Sequence, residues 1–305
     1  MPNTLGHIGI QTLVTRGLLR DADIKWVWLA CVVPDFPWIG QRVVRAAMPG
    51  LSPIDLRLYA IVQSSLIFCL VLSALFACFS KVPGRCFAIL AGGSLLHLLL
   101  DALQTKWANG VVLFAPVRWD ILNLGLFWPE DMQSLLLSGL GLVVAGWAWL
   151  RAPRLAADLR LPRGAPLVSA CVMLGAYIAA PVALMPGAYE ANLHFAATLD
   201  QRSQRPGKAV AFDRAGVTAV EDGVQLLAWT GERFSLTGDA PSGSGTFSLR
   251  GRFETQDTVL IADSHPHHAG LRDYASYVGL ALVGLWWAVC LWKRSRARVS
   301  TPDTG

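Results

Sequence analysis

Cys86-Phe-Ala-Ile-Leu-Ala-Gly-Gly-Ser94-Leu-Leu-His97-Leu-Leu-Leu-Asp101-Ala-Leu103 is long and apolar enough to cross a bilayer, yet it carries an imidazole and a carboxylate. On a helix, residues four apart project from one face, so His97 and Asp101 are neighbours. An ionisable group at mid-span costs about 2.5–3.5 kcal/mol on insertion scales and marks a functional position by default. The stretch therefore points to a helical membrane protein with a polar site inside it.

Composition agrees. Of 305 residues, 53% are hydrophobic and 15% charged, and the mean hydropathy is +0.44. Soluble globular chains carry about 25% charged residues, so much of this one is expected to face lipid. Disordered and disulfide-rich secreted classes are excluded. The net charge of +5 does not indicate a nucleic-acid-binding domain, because the basic residues flank apolar runs. The six cysteines, Cys31, Cys69, Cys78, Cys86, Cys171 and Cys290, lie in or beside apolar stretches with no CxxC pair, as small packing residues do. The N-terminus lacks a basic n-region and a small-residue cleavage site, and is expected to be retained.

Working outward, Leu58–Ser80, Ser134–Leu150, Pro166–Met185 and Tyr274–Trp292 join Cys86–Leu103 as spans. Two shorter segments precede them, His7–Leu19 and Ile24–Ile39, the second interrupted by Pro34, Asp35 and Pro37. They are expected to form a short helical hairpin. With the tail bearing Lys293, Arg294, Arg296 and Arg298 cytoplasmic, one alternation serves every loop. Thirteen basic residues fall inside, among them Arg16, Arg20, Lys25, Lys81, Arg85, Arg151, Arg154, Arg160 and Arg163. Five fall in the short outer loops: Arg42, Arg45, Arg57, Lys106 and Arg118. Trp107, Trp119 and Trp128 in one outer loop read as interfacial anchors or as packing.

In residues 187–273 charge, Gly and Ser return. Runs at Ala209–Phe212, Val224–Trp229, Phe234–Thr237, Thr246–Phe253 and Thr258–Ile261, separated by turn residues, predict a small antiparallel β domain, a sandwich or a partly open barrel. The expected organisation is a helical membrane domain with the candidate site (1–150), a basic cytoplasmic loop and further span (151–186), a periplasmic β-rich domain (187–273), and a C-terminal span with a basic tail (274–305). No internal repeat is visible, which weighs against a transporter using Asp35 and His97 as a proton relay. The residues from Ser300 to Gly305 are expected to be disordered.

The ionisable residues of the first hundred positions share one depth in this topology. His97 and Asp101 can chelate a divalent cation, or the carboxylate can orient the imidazole, or the pair can hold two helices together. Asp35, in Val33-Pro-Asp-Phe-Pro-Trp38, sits on irregular backbone, tolerated at membrane depth only where it lines a cavity; otherwise it caps a turn. His7 follows Asn3 and Thr4, plausible N-cap residues. All four fall toward the outer ends of their segments, as do Gln63 and Ser64, and a shared polar site accounts for this better than unrelated placements.

These residues carry a family resemblance. Met1-Pro-Asn-Thr-Leu-Gly-His7, Val-Pro-Asp35-Phe-Pro and His97-Leu-Leu-Leu-Asp101, with a following loop reaching Phe114-Ala115-Pro116, resemble the YdjM-type (DUF457) family over roughly residues 1–150. That family is described as bacterial inner-membrane, metal-dependent hydrolases. Its motifs are an N-terminal His, a Pro-Asp pair, a His-Ser pair at the start of a span, and HxxxD; the last three also resemble the ligand order of zinc-dependent phospholipase C. The resemblance implies His7, Asp35, His97 and Asp101 as metal ligands or their immediate partners. One departure is Val62-Gln63-Ser64-Ser65 where His-Ser should stand, since Gln is a poor zinc ligand. Two His and two Asp remain, enough for one four-ligand site or for three ligands and an open position.

His265-Pro-His267-His268 reads as a metal-binding tract or, preferably, a solvated linker, and His194 as a lone interfacial histidine. No Gly-rich phosphate loop, GxSxG elbow or HExxH is present. The expectation is a metal-dependent hydrolase at the periplasmic membrane face, with Zn²⁺ held by the four residues, Asp35 or Asp101 as proton acceptor, and a lipid or phosphodiester as substrate. The alternative is a non-catalytic membrane protein whose His/Asp cluster is structural and whose β domain binds a protein partner.

Overall fold

A computed structural model describes residues 3–151, 159–268 and 270–299; Arg154 and the tail from Ser300 lie outside them. The helices are α1 (Thr4–Leu18), α2 (Ile24–Ala30), α3 (Phe36–Ala47), α4 (Pro53–Gln63), α5 (Leu66–Ala77), α6 (Pro83–Ala102), α7 (Met132–Arg151), α8 (Ala165–Glu190), α9 (Ala196–Asp200) and α10 (Leu271–Val299). Strands β1 (Ala209–Val220), β2 (Gly223–Leu227), β3 (Arg233–Gly238), β4 (Gly245–Phe253) and β5 (Thr258–His267) lie between α9 and α10.

Among the described residues four single helices, α6, α7, α8 and α10, are long and apolar enough to cross a membrane, and α4 with α5 passes the same test as one bent pair. α8 is the most apolar of them, with a mean hydropathy of 2.1. The expected straight span Leu58–Ser80 is instead two helices, α4 and α5, bent by 69°. Ser64 and Ser65 cause the break: their hydroxyls bond back to the carbonyls of Ile61 (2.9 Å) and Val62 (2.8 Å), and Ser65 is extended (φ −69, ψ 159). The twelve residues of α5 reach about 18 Å, short of an apolar core about 30 Å thick.

The expected hairpin is α1 and α2. Asn3 caps α1 by accepting from the Gly6 amide at 3.0 Å, and its own amide donates to Ser138 on α7. All seven residues of α2 are buried, with Trp26 and Trp28 among the largest enclosed side chains. Trp28 donates to Thr12 at 3.1 Å and packs on Trp286, while Trp287 donates to the Lys25 carbonyl at 3.2 Å. A half-helix thus fills the centre of the bundle, wrapped by α1, α6 and α10.

The five strands close into a barrel in the order β1-β2-β3-β5-β4, with β3 and β5 parallel and the other pairs antiparallel. This is the connectivity of the five-stranded Greek-key barrel of OB type. Its interior is filled by alternating residues such as Val210, Phe212, Phe234, Leu249, Phe253 and Val259. Arg205 plugs one end, bonding the Leu199 and Gln256 carbonyls and Glu232 beneath Phe234 and Phe253.

The barrel rests on one end of the bundle. A bulge in β1 between Phe212 and Ala215 pushes Asp213 and Arg214 out of the ladder, with Arg214 left-handed at φ 53. Asp213 accepts from Asn109, and Arg214 pairs with Glu130 and with Asp273 at the start of α10. The three outer-loop tryptophans are packing residues. Trp107 meets Trp128 edge-on at 5.3 Å, Trp128 stacks on His265 at 3.7 Å, and Trp119 lies over Gly187 of α8.

α1 and α7 run side by side so closely that a Cβ on Gly141 would sit 1.9 Å from the Leu5 carbonyl oxygen. Gly141→Ala is therefore expected to lower thermal stability in detergent by about 1–3 kcal/mol. Gly139→Ala, where nothing lies within 4 Å, is expected to leave it unchanged or raise it by about 0.5–1 kcal/mol. Equal melting temperatures for the two variants would contradict this packing.

Candidate metal centre

The centre begins with a broken helix. After α2, Pro34 sits in a 3₁₀ turn (Val33–Asp35), and the Asp35 and Phe36 amides both bond to the Val32 carbonyl (2.9 and 3.1 Å). The Cys31 carbonyl, which a continuing helix would pair with the Asp35 amide, is left over. His97 Nδ1 takes it at 2.9 Å. A carbonyl only accepts, so Nδ1 carries a proton, and in the neutral ring Nε2 presents its lone pair.

That lone pair faces two carboxylates. Asp35 Oδ1 is 3.6 Å and Asp101 Oδ2 3.9 Å from His97 Nε2, and both aspartates are buried. His7 reaches Asp101 Oδ1 through Nε2 at 3.3 Å. Its ring lies face to face with that of His97, centroids 3.8 Å apart and planes within 3°. Two imidazolium rings so stacked repel, which disfavours charging both at once. Lys106 Nζ stands 3.5 Å from Asp101 Oδ2. Among the described residues, two buried carboxylates thus face one ammonium.

The donor set fits a divalent cation. His97 Nε2, on the carboxylate side, has no hydrogen-bond partner among the described residues though its imidazole is fully buried; the unpartnered nitrogen of His7 is Nδ1, the one not facing Asp101. One ligand atom from each of His7, His97 and Asp101 lies within 4.8 Å of the others. The contacts of 3.3, 3.6 and 3.9 Å are close to the edges of roughly 3.4 Å that a tetrahedral zinc site requires. Fixing the tautomer through a backbone carbonyl is how metal-binding histidines are ordinarily oriented.

All four residues singled out in the sequence, His7, Asp35, His97 and Asp101, meet here, from α1, the broken segment and α6. Asp35 enters through His97 alone. Gln63 and Ser64 do not join them. Gln63 instead donates to the Tyr59 hydroxyl at 3.1 Å and the Tyr177 carbonyl at 2.8 Å, tying α4 to α8, because the Ser64–Ser65 bend turns α4 away. One participant, Lys106, escaped the sequence reading. Gln11 follows His7 by four residues and Ser94 precedes His97 by three, sharing their helix faces. Both are fully buried with side-chain polar atoms lacking partners among the described residues. Lys106 lies beyond the end of α6 and gave no helical-face signal.

No family model, curated protein or solved structure matches the chain.

A second cluster, Glu130, His265 and His267, also has metal-ligand spacing. The expectation of a solvated linker at His265–His268 is corrected: β5 runs through His267, paired with β4, and His267 is buried. Its Nδ1 lies 2.6 Å from Glu130 and its Nε2 2.7 Å from Ser248 Oγ, while Arg214 already pairs with Glu130. Both ring nitrogens are engaged and a cation is in place, so the group is a clasp between barrel and bundle. His194 is likewise buried; it accepts from Arg57 Nε at 3.1 Å and stacks on Trp38.

Burial alone would raise the Glu130 carboxyl, but the His267 hydrogen bond and the His267 and Arg214 charges outweigh it and hold the pKa at about 2, against an ordinary 4.5. A depressed carboxylate contributes stability that is complete above the unfolded value and lost as pH falls through the folded one. The wild type is therefore expected to lose more melting temperature than Glu130→Gln between pH 4.5 and about 2, and to exceed it at neutral pH. Parallel curves for the two proteins would show that the clasp carries no charge.

Proposed function

We propose that the chain is a multi-pass inner-membrane protein with a cytoplasmic C-terminus, and that its polar centre holds a divalent metal, by preference Zn²⁺, for hydrolysis at the periplasmic face. The observation that carries this is His97 Nε2, buried without a hydrogen-bond partner among the described residues and facing two buried carboxylates, while Nδ1 is held by the Cys31 carbonyl. Orientation is supported by the end of the bundle away from the barrel, where Arg16 lies over Trp147 and Arg160 bonds back to Phe79. On this reading the resemblance to the YdjM-type family extends from motif to site.

A bound zinc ion lowers the pKa of its water to about 7 and so supplies hydroxide at neutral pH. The chain does the rest. His7, His97 and Asp101 would hold the ion, with His97 Nε2 and His7 Nε2 on the carboxylate side. Asp35, reached through His97 alone, is placed to accept a proton. Lys106 offsets the Asp101 charge and presents an ammonium where negative charge develops on a substrate oxygen. A lipid ester or phosphodiester is the substrate class that suits a site beside the bilayer surface.

A structural reading also has an observation in its favour: Lys106 already offsets part of the buried charge, and a protonated His97 would balance the remainder. Metal content separates the two. Full-length protein purified in detergent without chelator is expected to hold about one divalent ion per chain. His97→Ala/Asp101→Ala is expected to hold none, and chelator should lower the melting temperature of the wild type alone. Equal metal content in wild type and double mutant, or a wild-type melting curve indifferent to chelator, would remove the hydrolase reading.

A further inference from the structure

A cleft of about 460 Å³ opens where α3, α4, the barrel and α10 meet, and Asp101 of the metal centre forms part of its wall. Its cations are Arg42, Arg45, Arg57, Lys106, Arg214 and Arg272; its carboxylates are Asp101, Asp213 and Asp273. Lys106 and Arg214 have carboxylate partners, and Arg272 pairs with Asp273. Arg42, Arg45 and Arg57 have no carboxylate within salt-bridge distance among the described residues, so the cleft carries an excess of positive charge.

Arg57 is the best organised of these. Its guanidinium lies over Trp38 at 5.2 Å and over Trp229 at 5.1 Å, joining the helical bundle to the barrel through one cation. Its Nε is spent on His194, which itself stacks on Trp38. The two terminal nitrogens have no hydrogen-bond partner among the described residues, although the residue is partly buried. The backbone behind it is strained: Asn192, His194 and Phe195 are all left-handed, at φ 51, 53 and 58. Arg45 fixes the facing wall by donating to the Trp229 carbonyl at 2.8 Å, and its remaining donors are uncommitted among the described residues.

We infer that this cleft binds a phosphate-bearing anion, with Arg57 as its principal contact and Arg42 and Arg45 as flanking ones. A guanidinium offers a planar pair of donors matched to two phosphate oxygens. Three such groups without carboxylate partners suit a phosphate better than a single carboxylate, and the volume suits a headgroup or a small ester. The inference deepens the hydrolase reading, on which it rests for the fate of the ligand but not for its binding. The phosphate would lie beside Lys106 and Asp101, at the mouth of the metal centre. A lipid headgroup and a soluble phosphate ester present the same chemistry.

The test titrates full-length protein in dodecyl maltoside, a phosphate-free detergent, with inorganic phosphate and with dihexanoyl phosphatidate at constant ionic strength. Melting temperature is followed before and after chelator treatment. Saturable stabilisation that survives chelation is expected, with half-saturation about tenfold or more weaker in Arg57→Gln and in Arg42→Gln/Arg45→Gln. Arg118→Gln, on an exposed pair with Asp120, should match the wild type. The double variant changes only exposed α3 side chains, so it reports even if Arg57→Gln does not fold. Phosphatidate binding about tenfold tighter than phosphate would identify a lipid headgroup, and comparable binding a soluble ester. A response no greater than that to chloride, undiminished binding in both variants, or binding abolished by chelator would overturn the inference. Persistence in chelated protein, together with a metal-free wild type, would leave the cleft standing and the hydrolase reading fallen.

Discussion

The Cys31 carbonyl accepts a hydrogen bond from His97, and the rest of the centre depends on that contact. It exists because α2 stops after seven residues and Pro34 turns the chain before a further helical bond can form. A carbonyl left over in a buried bundle must find a donor or cost several kcal/mol. Meeting that need with an imidazole fixes which nitrogen bears the proton. The remaining nitrogen then confronts Asp35, set in place by the same break, and Asp101, one turn further along α6.

Charge organises the next shell. Asp35 and Asp101 are buried, and among the described residues Lys106 is the ammonium within salt-bridge distance of Asp101, while the stacked ring of His7 disfavours protonating both imidazoles. A pocket in this condition attracts a cation. The surrounding surface has the opposite character, since Arg42, Arg45 and Arg57 crowd a cleft with too few carboxylates to match them. On the proposals made above, a metal and an anionic ligand would meet at the wall that Asp101 shares between centre and cleft. The barrel completes it: the β1 bulge delivers Asp213 and Arg214, and Trp229 closes over Arg57.

The sequence disclosed the helical bundle, four of its long helices and all five strands, because apolar length and period-two alternation are local signals. It disclosed the four ionisable residues of the centre for a related reason, since a charge in an apolar run stands out. It gave no sign of the 69° break within Leu58–Ser80, because apolar composition continues through Ser64 and Ser65 while their hydroxyls break the backbone. It misread His265–His268 because Pro266 and exposed neighbours resemble a linker, and the partner that makes His267 a clasp, Glu130, is 137 residues away. The cleft was illegible for the same reason. Its arginines could be counted as outer-loop charges, but their convergence depends on how the barrel sits on the bundle.

The most direct measurement is an anomalous difference map at the zinc edge from crystals of the full-length protein supplied with Zn²⁺. A peak is expected about 2.0–2.2 Å from both His97 Nε2 and an Asp101 oxygen, with His97 Nδ1 still on the Cys31 carbonyl. A map with no peak there, and His97 Nε2 donating directly to Asp35 or Asp101, would contradict it.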